Sequence, residues 1–177
     1  MPAPLQADHQ RPNCRSLERT HVKLNLGCGT DMRLGYVNVD WKGGDVVWEL
    51  NKFPWPWATN SVDEILMWHV LEHLPDTTAT LTEVVRVLKR GAIWWGQVPY
   101  GPSHDGRTHW QHVRHFVARS FHQIEAEFPL KVLVAQNGVH ACSWRHRLRN
   151  AVPFRESLAL AGWSEAFDLV NFKLVRL

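Results

Sequence analysis

The stretch VKLNLGCGTDMRLGYVNVD, residues 22–40, decides the fold class, because it has the pattern of a buried strand, a glycine turn and a second strand that ends in an acid. Its first five residues form the first predicted strand. Gly27 and Gly29 supply a turn in which the backbone can fold sharply and approach a ligand, which a Cβ would obstruct. Asp40 follows the second predicted strand, residues 36–39, and its carboxylate can accept two hydrogen bonds from a ribose diol. The pattern indicates a nucleoside-binding site.

The spacing within this stretch distinguishes between two nucleoside cofactors. A dinucleotide site requires G-x-G-x-x-G at the start of a long helix, because the pyrophosphate binds at the helix N-terminus. Here Met32 occupies the third glycine position, and only 10 residues separate Gly29 from Asp40. S-adenosylmethionine carries no phosphate, so its site can dispense with that helix. The short link favours S-adenosylmethionine over NAD and predicts no full-length helix between the two strands.

From about residue 22 to residue 121 the chain resembles the class I S-adenosylmethionine-dependent methyltransferases, and among them small methyltransferase-domain proteins of bacteria and phages. The blocks that carry this resemblance occur in order: LNLGCG, GYVNVD, NKFPWPWATNSVDEI, HVLEHL, EVVRVLKRG, QVP and HVRHFVARSF. The resemblance implies one Rossmann-like α/β domain over residues 21–177, after a flexible lead-in at 1–20. Its sheet should have seven mostly parallel strands flanked by helices, with an antiparallel last strand.

The resemblance also implies a set of cofactor-binding residues. Backbone around the glycine turn would meet the methionine end of the cofactor, and an acid near the end of the third strand would meet the adenine amino group. Glu49 ends the predicted third strand, residues 45–50, and receives that role. The loop with Pro54 and Pro56 is predicted either to cover the strand ends or to contact adenine. The predicted set is Leu26, Gly27, Cys28, Gly29, Asp40, Glu49 and Phe53.

Two histidines are predicted as candidate bases. Methyl transfer from a sulfonium requires alignment of the acceptor and exclusion of water, and it requires a base only when the acceptor is a hydroxyl or a protonated amine. His69 directly follows the predicted fourth strand, residues 61–68, at the strand end where ligands collect in α/β sheets. His112 is a candidate through its family match. Glu72 and His73 could instead cap or solvate a turn.

The segment from residue 100 to 122 is rich in histidine. In the resembled proteins it has the pattern D-P-T-H followed by a basic residue, an aromatic residue and S-F, whereas HWQH occupies the first four places here. His112 and His115 could share a helix face and so suggest a metal site, but no carboxylate or cysteine lies at a recognisable ligand spacing and no zinc signature such as H-E-x-x-H occurs. No metal is therefore predicted. The predicted substrate-binding residues are His73, His109, Arg114 and Phe116.

The remaining pattern completes the predicted sheet. Apolar spacing predicts a helix over residues 77–90, with Thr77 or Thr78 as its cap and Gly91 as its stop. Further strands are predicted at 92–98, 130–135 and 168–177. The basic cluster at 145–149 is either a solvated helix face or a site for a phosphate or carboxylate group.

Composition limits the class of protein. A chain of 177 residues, 45% hydrophobic and 21% charged, fits one globular domain without a membrane span. The first residues lack the apolar core of a secretory signal, and three cysteines form no paired pattern, so we expect a cytoplasmic protein with reduced thiols. The net charge of +3 is too small to argue for nucleic-acid binding by itself.

The sequence restricts the identity of the methyl acceptor only in part. No N/D-P-P-Y/F/W motif follows the fourth strand, and no cysteine follows a proline, so the signatures of base-methylating enzymes are missing. A small-molecule or glycan-type acceptor is favoured, while RNA and protein stay open as alternatives. The short chain and its ten tryptophans leave a further alternative, a catalytically silent binding or scaffold subunit. The sequence does not predict an oligomeric state.

Overall fold

A seven-stranded sheet forms the centre of the computed structural model, which describes residues 21–138 and 167–177. Its strands are β1 Lys23–Leu26, β2 Val37–Asp40, β3 Val46–Val47, β4 Val62–Trp68, β5 Leu88–Pro99, β6 Leu130–Gly138 and β7 Leu169–Arg176. They lie in the order β3-β2-β1-β4-β5-β7-β6, and only β7 runs antiparallel to its neighbours. The predicted fold class, including its antiparallel last strand, is confirmed.

The helices pack on this sheet. They are α1 Thr77–Val87, α2 His104–Thr108 and α3 Ala118–Glu127, together with a 3-10 turn at Leu71–His73. The centre of β4 is completely buried, as expected for a parallel strand that is covered on both faces. None of the helices in the described residues combines the length and the apolar character that a bilayer span needs. The predicted lead-in at 1–20 and the basic cluster at 145–149 lie outside the described residues.

The link between β1 and β2 contains turns and no helix, as the sequence predicted. Gly27 and Gly29 adopt φ values of +68° and +50°, a region that glycine enters without a Cβ penalty. The backbone N–H groups of Gly27 and Cys28 both donate to the Val39 carbonyl, at 2.8 and 3.0 Å. These two bonds hold the glycine turn against the end of β2.

Two buried asparagines replace the missing helix as the support for this link. Asn25 donates to the side-chain oxygen of Asn38 at 3.0 Å and to the Asp31 carbonyl at 2.7 Å. The same Asn38 oxygen accepts the Arg33 N–H at 2.8 Å, and Asp45 accepts from both the backbone and the side chain of Asn38 at 2.8 Å. A polar network of this kind fixes a loop because each buried polar group has a partner.

Several predicted boundaries are wrong, among them the start of β5, which is Leu88 and not residue 92, and the end of β6, which is Gly138 and not residue 135. Helix α1 ends at Val87 and not near Gly91, because Leu88 has an extended backbone and already pairs with Val62 as the start of β5. Asp76 caps the helix, and its side chain accepts the Ala79 N–H at 2.9 Å, a role predicted for Thr77 or Thr78. The third strand is only two residues long, because β3 pairs with β2 alone at the sheet edge.

A buried carboxylate holds the proline-containing loop against α1. Glu83 accepts the Trp55 N–H at 2.6 Å and the Arg86 guanidinium at 2.6 and 2.7 Å. Arg86 in turn donates to the carbonyls of Trp55 and Trp57. The hydrogen bonds from Arg86 and the Trp55 N–H lower the pKa of Glu83, although burial acts in the opposite direction.

We expect the change Glu83→Ala to lower the free energy of unfolding by about 2–4 kcal/mol, because it leaves a buried N–H and a guanidinium without their acceptor. Urea unfolding measures this loss. Glu127→Ala, at the exposed end of α3, is the matched control and should change the free energy by less than about 0.5 kcal/mol. Equal midpoints for the two variants would contradict the structural role of Glu83.

Candidate active site

A cavity of about 490 Å³ opens at the carboxyl edge of the sheet, where the strands of an α/β fold place their ligands. One wall comes from the glycine turn and the ends of β2 and β3, with Gly27, Asp40, Trp41, Trp48, Glu49, Leu50 and Asn51. The other wall follows β4 and includes the histidine segment, with His69, Val70, His73, Leu74 and Gln111. Parallel pairing of β1 with β2 and β4 brings these two walls together.

Three of the seven predicted cofactor residues line the cavity: Gly27, Asp40 and Glu49. Leu26 is buried in the core, and Cys28 is buried beside the turn. Gly29 lies next to the wall and donates its N–H to Asp40 at 2.9 Å. The structure therefore assembles the predicted glycine turn and both acids at one edge.

The Asp40 carboxylate joins the tip of β2 to the glycine turn. One oxygen accepts the Gly29 N–H, and the other accepts the Lys42 N–H at 3.2 Å. Burial raises the pKa of the Cys28 thiol, and the negative charge of Asp40 raises it further. Cys28 is thus held in the thiol form, which is a poor nucleophile.

The proline-containing loop forms a cover. Trp55 is buried and donates its indole N–H to the Leu50 carbonyl at 3.0 Å. Phe53 stacks on Trp55 with a ring separation of 6.5 Å and does not line the cavity. Of the two roles predicted for this loop, a cover over the strand ends matches the observed packing. Glu49 stands at the cavity wall, 3.2 Å from the ammonium group of Lys52.

Gly27 approaches the opposite wall so closely that a side chain cannot fit. A Cβ at this position would lie 2.4 Å from Cγ2 of Val70. Since Gly27 and Val70 both line the cavity, this contact sets the separation of the walls at its base.

His69 occupies the end of β4 in a left-handed backbone conformation, with φ at +55°. Its Nε2 lies 3.0 Å from the side-chain oxygen of Gln97, and Gln97 donates to Asn171 at 2.8 Å. Its Nδ1 lies 3.4 Å from a carboxylate oxygen of Glu72. Burial alone would lower the pKa of His69, but the Glu72 carboxylate and the Gln97 oxygen outweigh burial and raise it.

Three further histidines cluster beside this wall. The ring of His112 stacks on that of His109 at 4.4 Å and lies 5.0 Å from that of His73. His73 lines the cavity, whereas His109 and His112 lie behind it. Burial lowers the pKa of His112, and the neighbouring histidines lower it further. Residues 112–115 form no helix, so the helix face considered for His112 and His115 does not exist.

Glu72 is the site residue that the sequence interpretation missed. Its side chain is 2% exposed and forms no hydrogen bond with a described residue, so it neither caps nor solvates a turn. Its backbone carbonyl accepts the N–H groups of Val113 and Arg114, at 2.9 and 3.1 Å, and thereby holds the histidine segment against the end of β4. An acid between two histidines directly after a buried strand was the available signal.

The two remaining predicted substrate residues do not line the cavity. Arg114 is exposed and donates to the Pro75 carbonyl at 2.6 Å. Phe116 is buried in the core and stacks on Phe121 with a ring separation of 5.9 Å. Its match to the family pattern reflects packing between the histidine segment and α3.

Comparisons with known proteins agree with this architecture. Residues 45–95 match the family model described as "Methyltransferase domain". No curated protein matches the chain. The chain has the fold of the class I S-adenosylmethionine-dependent methyltransferases. The predicted resemblance is thereby confirmed at the level of the fold, and the domain match over residues 45–95 supports a methyltransferase.

Three solved structures illustrate the similarity. A complex of the Haloferax volcanii Trm112 methyltransferase activator contains a chain with 16% identity and a TM-score of 0.62, covering 89% of this chain and 83% of that one. Geranyl diphosphate C-methyltransferase from Streptomyces coelicolor A3(2) has 15% identity and a TM-score of 0.61, and the match covers 89% of this chain and 73% of that one. An S-adenosylmethionine-dependent methyltransferase from Mesorhizobium loti has 12% identity and a TM-score of 0.60, and the match covers 88% of this chain and 90% of that one.

The contact between Gly27 and Val70 can be tested by stability. Gly27→Ala adds a Cβ that clashes with Val70, whereas Gly35→Ala places a Cβ in open space at a similarly positive φ of +82°. The left-handed backbone should cost each variant about 1–2 kcal/mol, and overpacking should cost Gly27→Ala a further ~1–3 kcal/mol. Thermal and urea unfolding measure the difference. Equal destabilisation of the two variants would show that the two cavity walls can move apart to accept the added Cβ at position 27.

Proposed function

We propose that the chain transfers the methyl group of S-adenosylmethionine to an acceptor that enters the same cavity. The observation that carries this proposal is the cavity at the carboxyl edge, with the glycine turn and two acids on one wall and His69 and His73 on the other. Its volume of about 490 Å³ lies within the usual range for small-molecule sites.

The glycine-turn wall holds the cofactor. The Asp40 oxygens that now accept backbone N–H groups would turn to the ribose hydroxyls, and Glu49 at the neighbouring strand end would accept from the adenine amino group. Gly27, which lines the cavity, would present its backbone to the methionine portion. Leu26, Cys28 and Gly29 act through the backbone conformation of the turn, since their side chains offer no group to the cavity.

The acceptor lies against the wall that follows β4. Of the two candidate bases, only His69 lines the cavity. In the neutral form that donates from Nε2 to Gln97, its Nδ1 carries the lone pair beside Glu72. S-adenosylmethionine bound there would supply an activated methyl group with sulfur as the leaving atom, and His69 would take the proton of the acceptor hydroxyl whose oxygen is methylated. The products are the methylated acceptor and S-adenosylhomocysteine, and Glu72 stabilises the imidazolium.

A small molecule or a sugar fits this arrangement best. Trp41 lines the cavity while its side chain is 63% exposed, so it offers a flat apolar face to an acceptor at the mouth. His109 and Arg114 lie outside the lining and would contact only an acceptor that extends beyond the cavity. RNA or protein acceptors would need such contacts outside the cavity. Methylation of RNA or protein is therefore the alternative that the labelling experiment must exclude.

Calorimetric titration with S-adenosylhomocysteine tests the cofactor wall. Asp40→Ala should weaken binding about 10- to 100-fold, because a hydrogen bond to a charged group contributes roughly 1.5–3 kcal/mol. Asp40→Asn keeps an oxygen for the Gly29 N–H and separates ribose binding from support of the turn. Asp105→Ala, an exposed acid on α2, is the control and should bind as wild type does. Unchanged affinity in both Asp40 variants would remove this residue from the cofactor site.

The acceptor wall is tested by transfer of label from methyl-labelled S-adenosylmethionine to pools of metabolites, glycans, RNA and proteins. His69→Ala should lower turnover on a hydroxyl acceptor by roughly 10²- to 10⁴-fold, since general-base catalysis is lost. Its affinity for S-adenosylhomocysteine should stay within a few-fold of wild type. His115→Ala changes the same residue type at an exposed position and should leave turnover intact. A His69 variant with the wild-type rate would mean that no base acts there.

A second candidate function is a binding subunit without turnover. The Haloferax volcanii neighbour comes from a complex with a methyltransferase activator, and the Trp110 side chain of this chain is 86% exposed at the histidine segment. Light scattering during size-exclusion chromatography, with and without S-adenosylhomocysteine, separates the two functions. A stable dimer or partner complex that forms while S-adenosylhomocysteine does not bind would favour the binding subunit without turnover.

A further inference from the structure

We propose that Glu72, His73 and His112 form a binding site for a divalent transition metal, with Zn²⁺ as the best-matched ion, directly behind the acceptor wall. Each residue presents one ligand atom, and the three atoms lie within 4.8 Å of one another. Two imidazoles and a carboxylate are a zinc donor set that leaves a coordination position open. Nitrogen donors also disfavour Mg²⁺ and Ca²⁺, which prefer oxygen ligands.

The state of the Glu72 carboxylate is the first independent observation. The Glu72 side chain is 2% exposed, and neither of its oxygens forms a hydrogen bond with any described residue. One oxygen lies 3.4 Å from Nδ1 of His69 and 4.0 Å from Nε2 of His73, which are ion-pair distances without hydrogen-bond geometry. Burying a carboxylate in this way is costly unless a cation or a metal compensates it.

The second observation is how the two imidazoles are held. Nδ1 of His73 lies 3.1 Å from the Gln111 carbonyl, and Nδ1 of His112 lies 3.4 Å from the Gly106 carbonyl. A carbonyl can only accept, so each Nδ1 carries the proton and each Nε2 keeps its lone pair. Metal-binding histidines are usually oriented in this manner, by donation of the other ring N–H to a carbonyl or carboxylate.

Binding requires a contraction of the cluster. Ligands that lie 2.0–2.2 Å from a common tetrahedral zinc ion are about 3.3–3.6 Å apart, so the ligand atoms, now within 4.8 Å of one another, must close by up to about 1.5 Å. His112 lies in a loop segment, so its ring can close this difference without moving a strand.

The position of the site suggests its role. His73 belongs both to the metal cluster and to the lining of the cavity. A metal held there would present its open coordination position near the acceptor, and an oxygen or nitrogen acceptor could bind to it. This role rests on the proposed methyl transfer, whereas the metal site itself does not.

The site is tested on the full chain, treated with a chelator and titrated with Zn²⁺ against a competing zinc indicator. The wild type and the control His115→Ala should each bind one ion at this site with the same affinity. Glu72→Gln and His112→Ala should bind it more than about 100-fold more weakly, since loss of supporting groups alone costs roughly 10- to 100-fold. Co²⁺ should give visible absorption bands in the wild type that are lost in both variants.

Thermal unfolding gives a second readout. Zn²⁺ should raise the melting temperature of the wild type and of His115→Ala, but not of Glu72→Gln, because only a folded site binds the ion. If Glu72→Gln does not fold, His112→Ala alone decides the test, because its side chain lies in a loop.

Two results would overturn the site: no Zn²⁺ binding to the wild type, or equal binding to His112→Ala and His115→Ala. Either result would leave Glu72 as the counter-ion of a protonated His69 or His73. All of these measurements omit S-adenosylmethionine, so a chain that binds Zn²⁺ but transfers no methyl group would contradict the proposed function and leave the metal site standing.

Discussion

Parallel pairing of β1 with β2 on one side and with β4 on the other is the constraint on which the site depends. Leu26, the last residue of β1, pairs with Val39 and with Met67, so three strands end within one or two residues of each other. Each chain segment that leaves this edge therefore starts beside the other two. Asp40 and His69 face one cavity for this reason, although 28 residues separate them in the sequence.

The short link after β1 shows how a fold can lose an element and keep its geometry. A helix normally covers this part of the sheet and supports the glycine turn. In this chain the support comes from Asn25 and Asn38, which are buried and hydrogen-bonded to each other and to the link. The compensation is local, because the network gives hydrogen-bond partners to polar groups of the link.

The features that were predictable from the sequence are those that local chemistry determines. Strand β1, the positive φ of the glycines and the absence of a helix all follow from residue types within a short window. The end of α1 was not predictable in this way. Leu88 fits a helical pattern, but its pairing with Val62 on the neighbouring strand makes it extended. Hydrogen bonding to a neighbouring strand can override the local propensity of a residue for helix.

The site shows the same division. The residue types at the strand ends indicated Asp40 and His69, because a parallel sheet collects functional groups there. The roles of Glu72 and Phe116 depend on which side of a loop faces the core, and no periodicity encodes that. Gln97, which orients His69 from the neighbouring strand, was also invisible, because only the register of β4 on β5 places it opposite Trp68.

The charge distribution around the cavity fits the cationic cofactor of the proposed function. Asp40 and Glu49 line one wall, and the carboxylate of Glu72 lies behind the other. With the proposed metal site empty, a sulfonium between them would gain from the field of both walls, and low-dielectric surroundings strengthen that field. The cost falls on Glu72, whose burial opposes folding. A buried carboxylate without hydrogen-bond partners, such as that of Glu72, is expected at a functional site, because proteins place their unfavourable polar groups where function requires them.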